Sequence, residues 1–118
     1  MAIEKMETRV GPVFIIRPDD DTTSAYLRGK VGSLASVTRP AEFLRAAMAG
    51  NRFGLATDGA TLSLEDDAET VNLTLRLDAA YLSDEAGTTR AVDRFASVLR
   101  VWQERLSTYI PEAAEEVK

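Results

Sequence analysis

One segment fixes most of what this chain can fold into. Its apolar residues Val71, Leu73, Leu75 and Leu77 alternate with the polar residues Asn72, Thr74, Arg76 and Asp78. Because successive side chains of a β-strand point to opposite faces, this period of two predicts a strand with one buried and one solvated face. A slip of one residue in register would turn all four apolar side chains into water. The rest of the fold must therefore cover one side of a sheet.

A helical pattern near the C-terminus can supply that cover. The apolar residues Val92, Phe95, Leu99, Trp102, Leu106 and Tyr109 are spaced alternately by three and four positions. This spacing places them on one stripe of a helix, which we predict from about Thr88 to Ile110, with an earlier start capped by Ser83 as the alternative. We expect the stripe, Trp102 included, to pack on the sheet; a coiled-coil seam or a partner-facing Trp102 is the other interpretation.

Shorter signals predict the remaining elements. Strands are predicted over residues 8–17, 25–31, 53–57 and 61–65, the first either beginning after Pro12 or carrying it at an edge or bulge. Pro40 begins a short helix that Gly50 and Asn51 end, with Phe43, Leu44, Ala47 and Met48 as its apolar face. Asp58 and Gly59 predict a tight hairpin turn, because both residues tolerate positive φ.

The resulting order is ββαβββα. It predicts an α+β fold in which two helices pack on one face of an antiparallel sheet of about five strands. We expect one domain over residues 1–118, with flexible ends at 1–7 and 111–118.

Composition excludes several classes of function. The 118 residues include neither histidine nor cysteine, which removes the usual general base, the thiol nucleophile and the commonest zinc ligands. A net charge of -5 disfavours binding to nucleic acids and to anionic membranes. We therefore expect no enzyme activity, no cofactor and no metal. Abundant arginine and alanine favour a bacterial origin, and the absence of a leader-like or spanning apolar segment favours a cytoplasmic location.

Carboxylate-rich and glycine-containing segments do not form recognisable sites. Three consecutive acids at Asp19–Asp21, and the acids from Glu65 to Glu69, are typical of solvated turns and lack the alternating ligands of a calcium loop. No Gly-x-Ser-x-Gly elbow occurs, and residues 50–54 lack the glycines and the Lys-Ser/Thr pair of a phosphate-binding loop.

Two features indicate an interaction surface. The first is the short apolar strand Val13, Phe14, Ile15 and Ile16, which at a sheet edge would pair with a second copy or with a partner peptide. The second is Val101, an apolar residue opposite the helical stripe among Arg94, Glu104 and Arg105. Both indicate a protein partner or self-association.

The sequence thus favours a small acidic protein-interaction domain of the adaptor, chaperone or immunity/antitoxin type, whose negative charge would steer a basic partner. The alternative is a domain that binds a small molecule between the sheet and the long helix. Polar anchors for that ligand would come from Tyr26, Tyr81, Arg39 or Arg52.

Overall fold

The computed structural model of the chain describes residues 1–110. It contains five β-strands and two α-helices in the order β1 (Ala2–Thr8), β2 (Gly11–Arg17), β3 (Ser24–Ser33), α1 (Pro40–Gly50), β4 (Thr61–Leu64), β5 (Thr70–Asp78) and α2 (Glu85–Ser107). Short 3₁₀ turns lie at Leu34–Ser36, Arg52–Gly54 and Ala79–Leu82. The strands form one antiparallel sheet in the spatial order β1-β2-β3-β5-β4. The predicted α+β class, with five antiparallel strands and two helices, is confirmed.

The core lies between one face of the sheet and the two helices. Val13, Ile15, Leu27 and Leu73 point inward from the three central strands and are at most 1% exposed. The predicted stripe of α2 covers them, since all its members are buried except Tyr109, which is half-buried. From α1, Phe43 meets Trp102 edge to face, with ring centroids 6.5 Å apart. The helix stripe is therefore confirmed as core. In β5, Val71 and Leu73 are buried as predicted and Leu75 and Leu77 are partly buried, whereas Asn72, which was expected on a solvated face, is 5% exposed.

The N-terminal residues differ from the prediction. Residues 2–8 form β1, which pairs with β2 along its whole length from Ala2↔Arg17 to Thr8↔Gly11. A two-residue turn at Arg9 and Val10 joins the strands, and Gly11 accommodates a φ of 102°. The expected flexible end 1–7 is thus an ordered strand, and the predicted strand 8–17 is divided at this turn. The expected flexible end 111–118 lies outside the described residues.

The predicted strand 53–57 does not exist. Phe53 has a φ of 56°, and the chain there coils through hydrogen bonds from Gly54 N to the Asn51 carbonyl and from Leu55 N to the Arg52 carbonyl. Asp58 and Gly59 do take positive φ, 52° and 85°, so the predicted turn forms. It precedes β4 without joining it to another strand, because β4 instead pairs with β5.

The two helices also differ in detail. α2 begins at Glu85, where the carboxylate of Asp84 accepts from Gly87 N at 2.6 Å, so Asp84 rather than Ser83 is the N-cap. It ends at Ser107, three residues before the predicted Ile110. In α1, Pro40 is the first residue and Phe43 and Ala47 are buried as expected, but Met48 is 75% exposed.

Candidate protein-binding groove

The two edges of the sheet differ in how open they are. β4, at one edge, has four residues, and the side chain of Asn51 occupies part of its free edge. The amide Nδ2 of Asn51 donates to the Leu62 carbonyl at 2.8 Å, and its Oδ1 accepts from Leu62 N at 2.7 Å. β1, at the other edge, has seven residues, and nothing else within residues 1–110 pairs with its outer side. β1 is therefore the more accessible edge.

The register shows which backbone groups of β1 face outward. Residues directly opposite each other in an antiparallel pair alternate between exchanging two hydrogen bonds and exchanging none. Glu7 lies opposite Pro12, which has no N–H, so Glu7↔Pro12 is a pair without hydrogen bonds. By alternation the N–H and C=O groups of Ile3, Lys5 and Glu7 point away from β2. These are the groups that an added strand would bind.

A groove runs beside this edge, on the helix-covered face of the sheet. We call it the β1–α2 groove; its volume is about 860 Å³. Its apolar lining comes from Met6, Val10, Val92, Ala96 and Val101. Charged side chains lie among them, including Arg9, Asp93, Arg100 and Glu104. Apolar pockets with a polar surround are typical of surfaces that receive alternate side chains of an extended peptide.

The side chain of Gln103 holds the end of the groove in place. Its Nε2 donates to the carbonyl oxygen of Val10 at 2.8 Å and to that of Lys30 at 3.0 Å. The β1–β2 turn is thereby attached to α2 and to β3 at once. Since the charged and apolar lining residues stand on these attached elements, the groove is a preformed feature of the fold.

The residues predicted as an interaction surface lie in three different places in the structure: the core, the opposite face of the sheet and the β1–α2 groove. Val13 and Ile15 belong to the core, and Phe14 and Ile16 lie half-buried on the opposite face of the sheet. The expected edge position of this strand is wrong, because β2 lies between β1 and β3. Val101 is 54% exposed and lines the β1–α2 groove. The sequence prediction missed β1, which ends at Thr8, before the turn that leads into β2 at Gly11.

A second cavity lies on the other flank of α2, against β5. Its volume is about 550 Å³, and its lining includes Tyr81, one of the predicted polar anchors. Tyr26, Arg39 and Arg52 do not line it. At its rim Arg94 donates to both carboxylate oxygens of Asp58, at 2.5 and 2.9 Å, and these hydrogen bonds lower the pKa of Asp58.

In the two acidic segments, Asp67 and Asp21 accept hydrogen bonds from residues of their own turns. Hydrogen bonds from the Thr70 hydroxyl and from the backbone N–H groups of Thr70 and Glu69 lower the pKa of Asp67 to about 2. The hydroxyl and backbone N–H of Thr23 lower the pKa of Asp21 in the same way. No group of three or more acidic side chains within residues 1–110 is arranged to hold a metal ion.

Comparisons with known proteins identify the fold. No protein-family model matches the chain, and no curated protein matches it. A solved structure does: that of the heterodimeric complex ExoU-SpcU from the type III secretion system of Pseudomonas aeruginosa, with a TM-score of 0.65 and 15% sequence identity. The match covers 93% of this chain and 84% of that chain. At this identity the likeness shows a shared fold. None of the helices in residues 1–110 is long and apolar enough to cross a membrane.

Proposed function

We propose that this protein is a chaperone-type interaction module that binds an extended segment of a partner protein along the outer edge of β1. The partner segment would hydrogen-bond to the outward-facing backbone groups of Ile3, Lys5 and Glu7 and extend the sheet to six strands. It acts by binding rather than by catalysis. The single observation that carries the proposal is the open, seven-residue edge beside the β1–α2 groove.

Strand geometry explains why the edge and the groove would act together. A strand added to β1 would lie roughly 4.8 Å from it and would direct alternate side chains to the helix-covered face. On that face, apolar side chains of the partner would contact Met6, Ala96 and Val101. The backbone hydrogen bonds would supply sequence-independent affinity, and the groove would select for apolar residues at every second position.

The structural comparison supports a protein partner. The similar chain was solved within a heterodimeric complex, so this fold is compatible with a stable association between two different proteins. We extend the proposal to a bacterial, cytoplasmic protein, since that complex comes from a bacterial secretion system. The net charge of -5 would accelerate association with a basic partner segment and make the association rate sensitive to salt.

The proposal can be tested with peptides selected from a random 12-residue display library against the full chain. Lys5→Pro removes an outward-facing N–H of β1 without removing a hydrogen bond to β2, and Lys5→Ala is the matched control that keeps the N–H. We expect Lys5→Pro to weaken binding of the selected peptides at least about tenfold and Lys5→Ala to leave it within about twofold. Circular dichroism would verify that both variants fold.

A second pair of variants tests the groove. Ala96 and Ala91 are both half-buried on α2, but Ala96 lines the β1–α2 groove and Ala91 lines the opposite cavity. Ala96→Phe should weaken peptide binding, and Ala91→Phe should not. Peptides that bind Lys5→Pro and Ala96→Phe as tightly as the wild type would contradict the proposal, as would a library that yields no binders.

A further inference from the structure

The cavity on the other flank of α2 has the dimensions of a small-molecule site. It lies between β5 and the N-terminal half of α2, and its volume of about 550 Å³ falls within the usual range for ligand pockets. It is separate from the β1–α2 groove, since the two have no lining residue in common. A ligand here would therefore not compete directly with a partner segment on β1.

Apolar side chains form the floor of this cavity. Leu75 and Leu77 contribute from β5, and Ala91, Phe95 and Val98 contribute from α2. Phe95 is buried, while the other four are only partly buried although they pack against the core. Apolar surface that the protein leaves partly open would be removed from water by an apolar ligand, which favours binding.

The charged groups at the rim are mostly already engaged. Asp58 and Arg94 satisfy each other through two hydrogen bonds, and Asp84 caps α2 by accepting from Gly87 N at 2.6 Å. The fourth charged residue of the lining is Arg90, one helical turn from Arg94 and Gly87. Within residues 1–110 Arg90 forms no ion pair. The cavity thus presents an apolar floor and, at its rim, one guanidinium whose N–H groups are not engaged in an ion pair with a carboxylate of residues 1–110.

We propose that this cavity binds a small monocarboxylic acid with an apolar body, whose carboxylate pairs with the guanidinium of Arg90 and whose body packs on Leu75, Leu77 and Val98. Arginine is suited to this role because its planar fork donates two parallel hydrogen bonds to a carboxylate. The Asp58–Arg94 pair bounds the cavity and disfavours ligands that carry a second negative charge near Asp58. This site does not depend on the proposed binding of a partner at β1.

Octanoate is a suitable probe, with octan-1-ol as its neutral counterpart of equal chain length. In an NMR titration of the full chain we expect saturable shifts of the amides of β5 and the first half of α2, with a dissociation constant on the order of 1 mM for a ligand of this size. Octan-1-ol should bind more weakly. Arg90→Gln should weaken octanoate binding about fivefold or more, and Arg100→Gln, on the groove side of α2, should not change it.

Ala91 and Ala96 also distinguish the cavity from the groove, because Ala91 lines the cavity and Ala96 does not. Ala91→Phe should fill the cavity and abolish octanoate binding, and Ala96→Phe should leave it unchanged. The mapping of shifts on the wild-type protein provides an independent readout if Ala91→Phe does not fold. The proposal would be overturned by the absence of saturable binding, by shifts confined to the β1–α2 groove, or by equal affinity for octanoate in Arg90→Gln and wild type.

Discussion

The side-chain amide of Asn51 stabilises one edge of the sheet through its hydrogen bonds to β4. Its two hydrogen bonds with the backbone of Leu62 satisfy groups that β4 would otherwise present to water or to another chain. Asn51→Ala should lower the free energy of unfolding by about 1–2 kcal/mol, because both hydrogen bonds are lost. Urea denaturation would measure the change. Ser63→Ala, on exposed β4 surface, is the control and should stay within about 0.5 kcal/mol of wild type.

At Gly29 the absence of a side chain allows α2 to pack closely on β3. A Cβ at this position would overlap Cδ2 of Leu99 and would lie 3.3 Å from Cε2 of Phe95, where α2 crosses β3. Leu99 is fully buried and has little room to move. Gly29→Ala should therefore destabilise the protein by about 1–3 kcal/mol through overpacking. Thermal unfolding would detect this as a lower midpoint. If Gly29→Ala were as stable as the neighbouring control Lys30→Ala, α2 would not cross the sheet this closely.

At the scale of elements, the periodicity of apolar residues predicted those helices and strands that bury one face. The helix α2 and the strand β5 were identified correctly because each has one predominantly apolar face that packs on the core. The failures lie where burial is weak. β1 is mostly exposed and its apolar residues Ile3 and Met6 point to opposite faces, so no period of two or 3.6 appears. The predicted strand 53–57 contains Phe53 and Leu55, whose side chains are 84% and 82% exposed.

The β4–β5 hairpin contains a carboxylate whose ionisation should affect stability. In the folded protein the pKa of Asp67 is about 2, below its ordinary value of 3.8, because the Thr70 hydroxyl and two backbone N–H groups donate to it. Its stabilising contribution is therefore complete above about pH 4 and is lost as the pH falls through about 2.

We expect Asp67→Asn to remove this part of the pH dependence. The urea midpoints of wild type and Asp67→Asn should differ more at about pH 5 than at about pH 2, because protonation of Asp67 removes the advantage of the carboxylate at low pH. Asp66→Asn is the matched control, since no hydrogen bond of the turn is made to Asp66. A constant difference between wild type and Asp67→Asn at both pH values would contradict this account.

At the scale of the whole molecule, the groove and the cavity arise from the placement of α2 across the sheet. Val101 was predicted as an interaction residue from its position on the helix. The groove that it lines could not be predicted, because the other wall of the groove is formed by β1, which the sequence analysis missed. Similarly, Tyr81 was expected as an anchor and does line the cavity, whereas no sequence pattern singled out Arg90. Local patterns describe which side of an element is buried; they do not specify which exposed residues of different elements become neighbours.

A third surface of the molecule leads to a prediction about oligomeric state. Met48, Phe53 and Leu55 are 75%, 84% and 82% exposed, at the end of α1 and in the turn that follows it. The backbone of the turn is held by its own hydrogen bonds and by the bond at 3.0 Å from Trp102 Nε1 to the Ala56 carbonyl, and in this conformation Phe53 and Leu55 are directed into solvent. Apolar groups held in this way favour burial against a second copy of the chain.

We therefore expect a dimer whose population rises with protein concentration, measured by size-exclusion chromatography with light scattering. The double variant Phe53→Asp, Leu55→Asp should weaken dimerisation at least about tenfold, because burial of each large apolar side chain contributes about 1.5–3 kcal/mol. Val101→Asp, in the β1–α2 groove, should leave the dimer intact and weaken only peptide binding. A protomer mass at every concentration would contradict the prediction. A dimer that is lost in Val101→Asp alone would assign self-association to the groove rather than to this turn.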